Sequence, residues 1–226
     1  MTVSPADWQA LWVSVKLALI STTLLLMLCT PLAWWLARRR RRGQALLEAL
    51  LALPLVLPPT VLGFYLLLWL GPNGPGGLVA GLWGAHSLAF TFTGLVLGSV
   101  LYSLPFVLQP LKNAFLAIDQ DTLDMAATLG APPWDRFRNV VLPLARPGYL
   151  SAAVLGFAHT LGEFGVVLMI GGSLSGQTRV ASVALYEHVE VGDYAQAHQL
   201  ALVLVLMSVV LLWGLFRWQR RPGTLT

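Results

Sequence analysis

Apolar residues along this chain do not alternate with polar ones. They run in blocks, and the charged residues gather between the blocks. About 20 consecutive apolar residues cross the hydrocarbon core of a bilayer as a helix. Five blocks of that kind can be read: Leu11 to Ala37, Leu46 to Leu70, Ser87 to Leu108, Gly148 to Ile170 and Ala197 to Phe216. Open backbone finds no water in the hydrocarbon core, so each block is predicted to be helical. The expected fold class is an all-α integral membrane protein with about five transmembrane helices. It forms one transmembrane domain over residues 1–226.

Prolines interrupt this pattern at Pro31, at Pro54, Pro58 and Pro59, and at Pro105. Each removes a backbone donor and favours a kink. The cluster in Leu53-Pro54-Leu55-Val56-Leu57-Pro58-Pro59 is dense enough to break a regular helix. Carbonyls freed there need a partner or a water-lined cavity, which makes Pro54, Pro58 and Pro59 candidates for the border of a pathway.

Composition confirms the class. Of 226 residues 57% are hydrophobic and 11% charged, against about 25% charged in an ordinary soluble domain. Too few polar groups remain to clothe a water-facing surface, so a multi-pass protein with membrane lipid as its solvent is expected. The net charge of +4 does not mark a nucleic-acid protein, because the basic residues cluster beside the apolar blocks. Arg38, Arg39, Arg40, Arg41 and Arg42 follow the first block, and Lys112, Arg136, Arg138 and Arg146 follow the third. Arg217, Arg220 and Arg221 lie in the tail, and the other connections hold only Arg179. The positive-inside rule then puts the N-terminus outside and the C-terminus inside. No Lys or Arg precedes Lys16, so the first block reads as a retained anchor, not a cleaved signal. Cys29 lies within that block and reads as an inert thiol.

Glu163 is the acidic residue well inside a predicted span, and intramembrane ionisable groups are functional candidates. It either borders the pathway or holds the outer part of the fold together, paired with Lys16 or Arg179 or protonated. His159 precedes it at i,i+4 spacing, so the two are expected to face one another. They are too few for a metal site. No set of nucleophile, base and orienting group can be assembled, so no catalytic residue is assigned.

The connection over residues 119–147 is long, falls on the cytoplasmic side and is punctuated like structured protein. Asp121 is placed to cap a helix, with Asp124 at the capping-box position. The helix runs through Met125, Ala126 and Ala127 to Leu129. Gly130 supplies a left-handed stop, and Pro132 and Pro133 prevent resumption. Trp134 to Asn139 reads as a second short turn. This segment resembles the coupling loop of permease subunits in ABC importers, whose pattern is Glu-Ala-Ala, three residues, Gly, nine residues, Ile, one residue, Leu-Pro. Asp124-Met125-Ala126, Gly130, Val140 and Leu142-Pro143 stand at those positions with unbroken spacing. Asp124, Met125 and Val140 depart from the pattern in residue type.

The resemblance implies that Asp124, Met125, Ala126, Ala127 and Gly130 form a short helix seated in a cleft of a separate ATPase, with Val140, Leu142 and Pro143 completing the docking element. ATP and Mg would be bound by that partner. No Gly-x-x-x-x-Gly-Lys-Ser/Thr stretch occurs here, so this chain does not cradle phosphates by that route. Leu53 to Pro59, Leu161-Gly162-Glu163-Phe164-Gly165 and Thr178-Arg179 together resemble the molybdate permease branch, with sulfate and tungstate permeases as near relatives. Further partners implied are a second permease copy, as a homodimer, and a periplasmic or lipid-anchored oxyanion-binding protein. The location implied is the bacterial inner membrane. Phe164 stands where the sulfate branch tends to carry tyrosine. A proton-coupled secondary transporter using Glu163 and His159, and a non-transporting scaffold, are the competing readings.

Overall fold

The computed structural model describes residues 4–38, 42–82 and 84–219; Arg39, Arg40, Arg41, Arg220 and Arg221 therefore lie outside the described residues. Helix α1 (Pro5–Arg38) is followed by α2 (Gln44–Ala52), a 3₁₀ turn (Leu53–Leu55) and α3 (Pro59–Leu70). The short α4 (Pro75–Gly81) precedes the long α5 (Phe92–Leu116). Next come α6 (Gln120–Thr128), α7 (Pro133–Arg136), a π-helical turn (Phe137–Val141) and α8 (Leu142–Leu144). The chain closes with α9 (Arg146–Leu161), α10 (Gly165–Gly171), α11 (Ala181–Glu190) and α12 (Tyr194–Gln219). Three of these, α1, α5 and α12, are long and apolar enough to span a membrane, and two bent pairs bring the number to as many as five.

The bends correct the reading of uninterrupted spans. The second predicted span is two helices meeting at 103° across the Pro54–Pro59 elbow. Proline chemistry explains the corner: Val56 and Leu57 both donate back to the Leu53 carbonyl, and Pro58 turns extended before α3 starts on Pro59. The third span begins five residues later than expected. Phe92, not Ser87, starts it, and the hydroxyl of the capping Thr91 accepts from the Gly94 amide. Pro105 and Pro110 are carried inside α5 without ending it. The fourth span stops at Leu161, and three residues separate it from α10.

Three apolar clusters hold the helices together. Leu25, Cys29, Ala33 and Leu36 of α1 meet Val107, Leu111 and Phe115 of α5 and Ala152 of α9 in one. A second joins Leu17 of α1, Leu66 and Leu70 of α3, Leu95 of α5 and Ile170 of α10. The third ties α11 and α12 to the start of α1 through Ala10, Ala184 and Leu200. Lipid tails are as apolar as leucine, so close backbone approach drives packing inside a bilayer. A Cβ on Gly148 would come within 2.2 Å of the Ala114 Cβ, and one on Gly98 within 2.2 Å of the Ile170 Cδ1. The α9 crossing onto α5 thus depends on glycine, since the Ala114 Cβ cannot swing aside, whereas at Gly98 the end of the Ile170 side chain would have to move.

Polar ties finish the two ends. Arg38 donates to the carbonyls of Phe115 and Ile118, clamping the end of α1 onto the end of α5. Lys112 pairs with Glu48 at 2.8 Å and holds α2 to α5. At the opposite end buried Asp7 accepts from Ser4 and His188 and pairs with Arg179, which also binds Glu187.

Candidate functional site

The first candidate element is the connection after α5. Helix α6 starts one residue before Asp121, so Asp121 sits in its first turn and is not the cap. Asp119 holds the cap position in extended backbone and makes no side-chain cap bond. Asp124 accepts from Gln120, one turn earlier, instead of reaching back to a backbone amide. The C-terminal stop is the one anticipated. Gly130 has φ +85°, its amide donates to Ala127, and the Ala131 amide donates to Ala126. That pair of bonds is the Schellman arrangement, which a left-handed residue permits. Leu123 alone points from α6 into the core. Met125 is 61% exposed and Leu129 88%, and Asp124, Ala127 and Gly130 are exposed beside them. A mostly uncovered helix therefore projects from the bundle, with two large exposed apolar side chains on it. The Trp134–Asn139 turn is more helical than expected: α7, the π turn and α8 run on as one bent rod, meeting α9 at 68°. Val140 rests against the core, and Leu142 and Pro143 are half-buried beside Arg138, Arg146 and Trp218.

The second is the gap between α9 and α10. Gly162 ends one helix and Phe164, at φ −127°, opens the next. Glu163 lies between them, 3% exposed. Its carbonyl, freed by the break, accepts the Ser182 hydroxyl of α11. Its Oε2 accepts from Ser99 Oγ at 2.7 Å, and its Oε1 has no partner among the described residues. The expected pairing with His159 does not form, because the helix ends at Leu161 before Glu163 completes the turn. His159 Nδ1 lies 2.8 Å from Ser103 Oγ instead, and its ring stacks on Phe106 at 3.8 Å. The expected ion pairs of Glu163 do not form either. Arg179 is taken by Asp7 and Glu187, and Lys16 stands 4.5 Å over the Phe92 ring.

A cavity of about 590 Å³ opens here, lined by Pro59, Thr60, Tyr102, His159, Glu163 and Phe164 among others. Of the three elbow prolines, Pro59 reaches it; Pro54 and Pro58 do not line it. Phe164 also packs on Tyr186 of α11, ring centres 5.2 Å apart. Ser99 and Ser103, one helical turn apart on α5, went unread in the sequence. Their spacing inside an otherwise apolar span was the available signal. Among the described residues no three His, Cys, Asp or Glu side chains converge.

Residues 29–221 match the model of the family described as binding-protein-dependent transport system inner membrane component. The chain belongs to that family. It is 55% identical over 220 residues to the molybdenum transport system permease protein ModB of Azotobacter vinelandii, covering 97% of each chain. Identity to the protein of the same name in Escherichia coli K12 is 33%, covering 93% of this chain and 92% of the other. The sulfate transport system permease protein CysW of the same organism is 33% identical, covering 96% and 77%. Among solved structures, an alginate ABC transporter chain superposes with a TM-score of 0.76 at 16% identity, covering 96% of this chain and 80% of that one. A chain of the MetNI methionine ABC transporter does so at 0.72 and 17%, covering 97% and 98%. At those identities the likeness is one of fold. The chain is thus a multi-pass inner-membrane component of a binding-protein-dependent transport system.

Proposed function

We propose that this chain is the permease subunit of an ATP-driven importer that passes molybdate across the inner membrane. The observation that carries the substrate is the 55% identity, over 97% of both chains, to a molybdenum permease. In this reading two copies enclose the pathway, and two ATPase subunits binding ATP and Mg dock on the cytoplasmic face. A periplasmic or lipid-anchored binding protein delivers the oxyanion.

The geometry supports a division of labour. The α6 helix, with Met125 and Leu129 uncovered, is the piece a partner can grip, and residues 119–147 are the coupling loop. ATP-driven closure of the partners would push this rod, and the 68° joint before α9 passes the push to the helix that carries His159. The bundle then moves between inward-open and outward-open states. Discontinuous helices commonly flank substrate routes in transporters. The cavity beside the α9–α10 break, with Glu163 and Phe164 at its wall, is therefore the proposed stretch of pathway. Pro59 borders it, and Pro54 and Pro58 shape the elbow behind it. Selectivity rests mainly on the delivering protein, since a passage that held a dianion tightly would release it slowly. The proton-coupled alternative loses its relay, because Glu163 and His159 bond separately to Ser99 and Ser103.

The test is uptake of labelled molybdate by vesicles holding the reconstituted complex, with tungstate and sulfate as competitors. Molybdate is expected to accumulate and excess sulfate to leave it unaffected. Accumulation of sulfate in preference to molybdate would overturn the substrate assignment.

A further inference from the structure

A second cavity, of about 1160 Å³, lies apart from the interrupted helices. It sits between the Arg38 end of α1 and the connection that carries α6 and α7. This exceeds the roughly 300–1,000 Å³ of ordinary small-molecule sites. One wall is the outward face of α1, with Pro31 and Met27, and Met27 is 67% exposed, so the cavity opens sideways where lipid tails would lie. Trp34 stands on the same helix, and Trp134 and Phe137 face it from the opposite wall.

Two guanidinium groups stand at one end. Arg38 spends its terminal nitrogens on the carbonyls of Phe115 and Ile118 and on Gln120, while its Nε is buried without a partner among the described residues. The Arg136 side chain makes no hydrogen bond or ion pair with any described residue, and its Nε is buried. No carboxylate among the described residues lines the space. The Arg136 guanidinium thus stands half-buried with no counter-charge among the described residues, so the apolar slot beside it is complementary to an anion with a hydrocarbon tail. Guanidinium groups suit phosphate through charge-assisted hydrogen bonds, and basic pockets between helices at the cytoplasmic surface hold anionic lipid headgroups.

We propose that this cavity binds an anionic phospholipid, its phosphate on Arg136 and Arg38 and a tail along Met27 and Pro31. The assignment rests on the reading that the α6–α9 connection borders the cytoplasmic leaflet. Bound there, the lipid would brace the rod between coupling helix and bundle.

The test uses the purified permease–ATPase complex, titrated with brominated phosphatidylglycerol or brominated phosphatidylcholine, while tryptophan fluorescence is followed. Phosphatidylglycerol is expected to quench at lower concentration than phosphatidylcholine, and Trp134→Phe to remove part of the excess. Arg136→Gln should weaken the preference about fivefold, the worth of one basic residue near a charged membrane surface. Arg136→Lys should keep most of it, which separates lost charge from lost fold. Equal quenching by both lipids, or full preference retained in Arg136→Gln, would overturn the site. So would abolition of the preference by inorganic phosphate, which would mark a soluble-anion site, or a preference shown by the permease alone and absent from the complex, which would mark a protein interface. ATP-driven uptake is measured on the same preparation; its loss with the lipid preference intact would count against the transport reading alone.

Discussion

The Ser99 hydroxyl is the hydrogen-bond partner of the Glu163 side chain, whose other oxygen has none among the described residues. Removing it leaves a buried carboxyl group with nothing to bind. Ser99→Ala should therefore destabilise the purified protein by about 1–3 kcal/mol, the usual penalty for an orphaned buried group. Thermal unfolding in detergent measures this, and an unchanged midpoint would mean that water fills the gap. Glu187, outside the spans, behaves differently. Burial pushes its carboxyl up, but hydrogen bonds from Ser173 and Arg179 and the Arg179 charge outweigh it and hold the group below its ordinary 4.5. A depressed carboxyl contributes stability that is complete above that value and fades as the pH falls through the folded one. Protection of α11 from proteolysis should thus be greater in the wild type than in Glu187→Gln at neutral pH, and the difference should begin to fade below 4.5 and be lost as the pH falls through the lower folded value. At this scale the sequence revealed Glu163 as an anomaly but not its partner. An intramembrane acid is rare enough to notice, whereas Ser99 and Ser103 are ordinary small residues until a third helix comes to rest on them.

Among the elements, α6 was the most legible. Its stop at Gly130 follows from local chemistry, since a left-handed turn after an alanine-rich run leaves few alternatives. Its start was misread at Asp121, because several acids lie together and cap choice depends on how α5 hands the chain over. The proline elbow was anticipated as a break, but its 103° turn was not, since the direction of a broken helix is set by what it packs against. The gap at Gly162–Phe164 carried no proline and so gave no warning. Because Met125 and Leu129 are exposed, glutamate at either should leave the permease folded, within about 0.5 kcal/mol. Both substitutions should weaken co-purification with the ATPase. Undiminished co-purification would show that α6 is not the docking element. Gly130→Glu should act more severely, as it adds the cost of a left-handed side chain, about 1–2 kcal/mol, to a charge on the same face.

For the whole molecule, composition alone decided membrane residence, and blocks of hydropathy located four of the five apolar segments closely. What they could not supply was depth. Helix α12 keeps most of its apolar surface uncovered, whereas α5 is enclosed by α1, α9 and α10, and mean hydropathy, higher in α12, ranks the two the opposite way to burial. Orientation is testable in the intact cell. Cys29 is buried and silent to reagents, so Leu129→Cys and Tyr194→Cys each report one side. An impermeant thiol reagent is expected to label the second and spare the first; the reverse pattern would invert the topology.

The central claim is that motion of this bundle is driven by nucleotide hydrolysis in a partner and relayed through α6. Proteoliposomes holding the permease, its ATPase and its binding protein decide it when molybdate uptake is followed with ATP, with ATP plus vanadate, and with an imposed pH gradient alone. Uptake is predicted with ATP, and none under the other two conditions. Accumulation driven by the pH gradient without ATP would contradict the account.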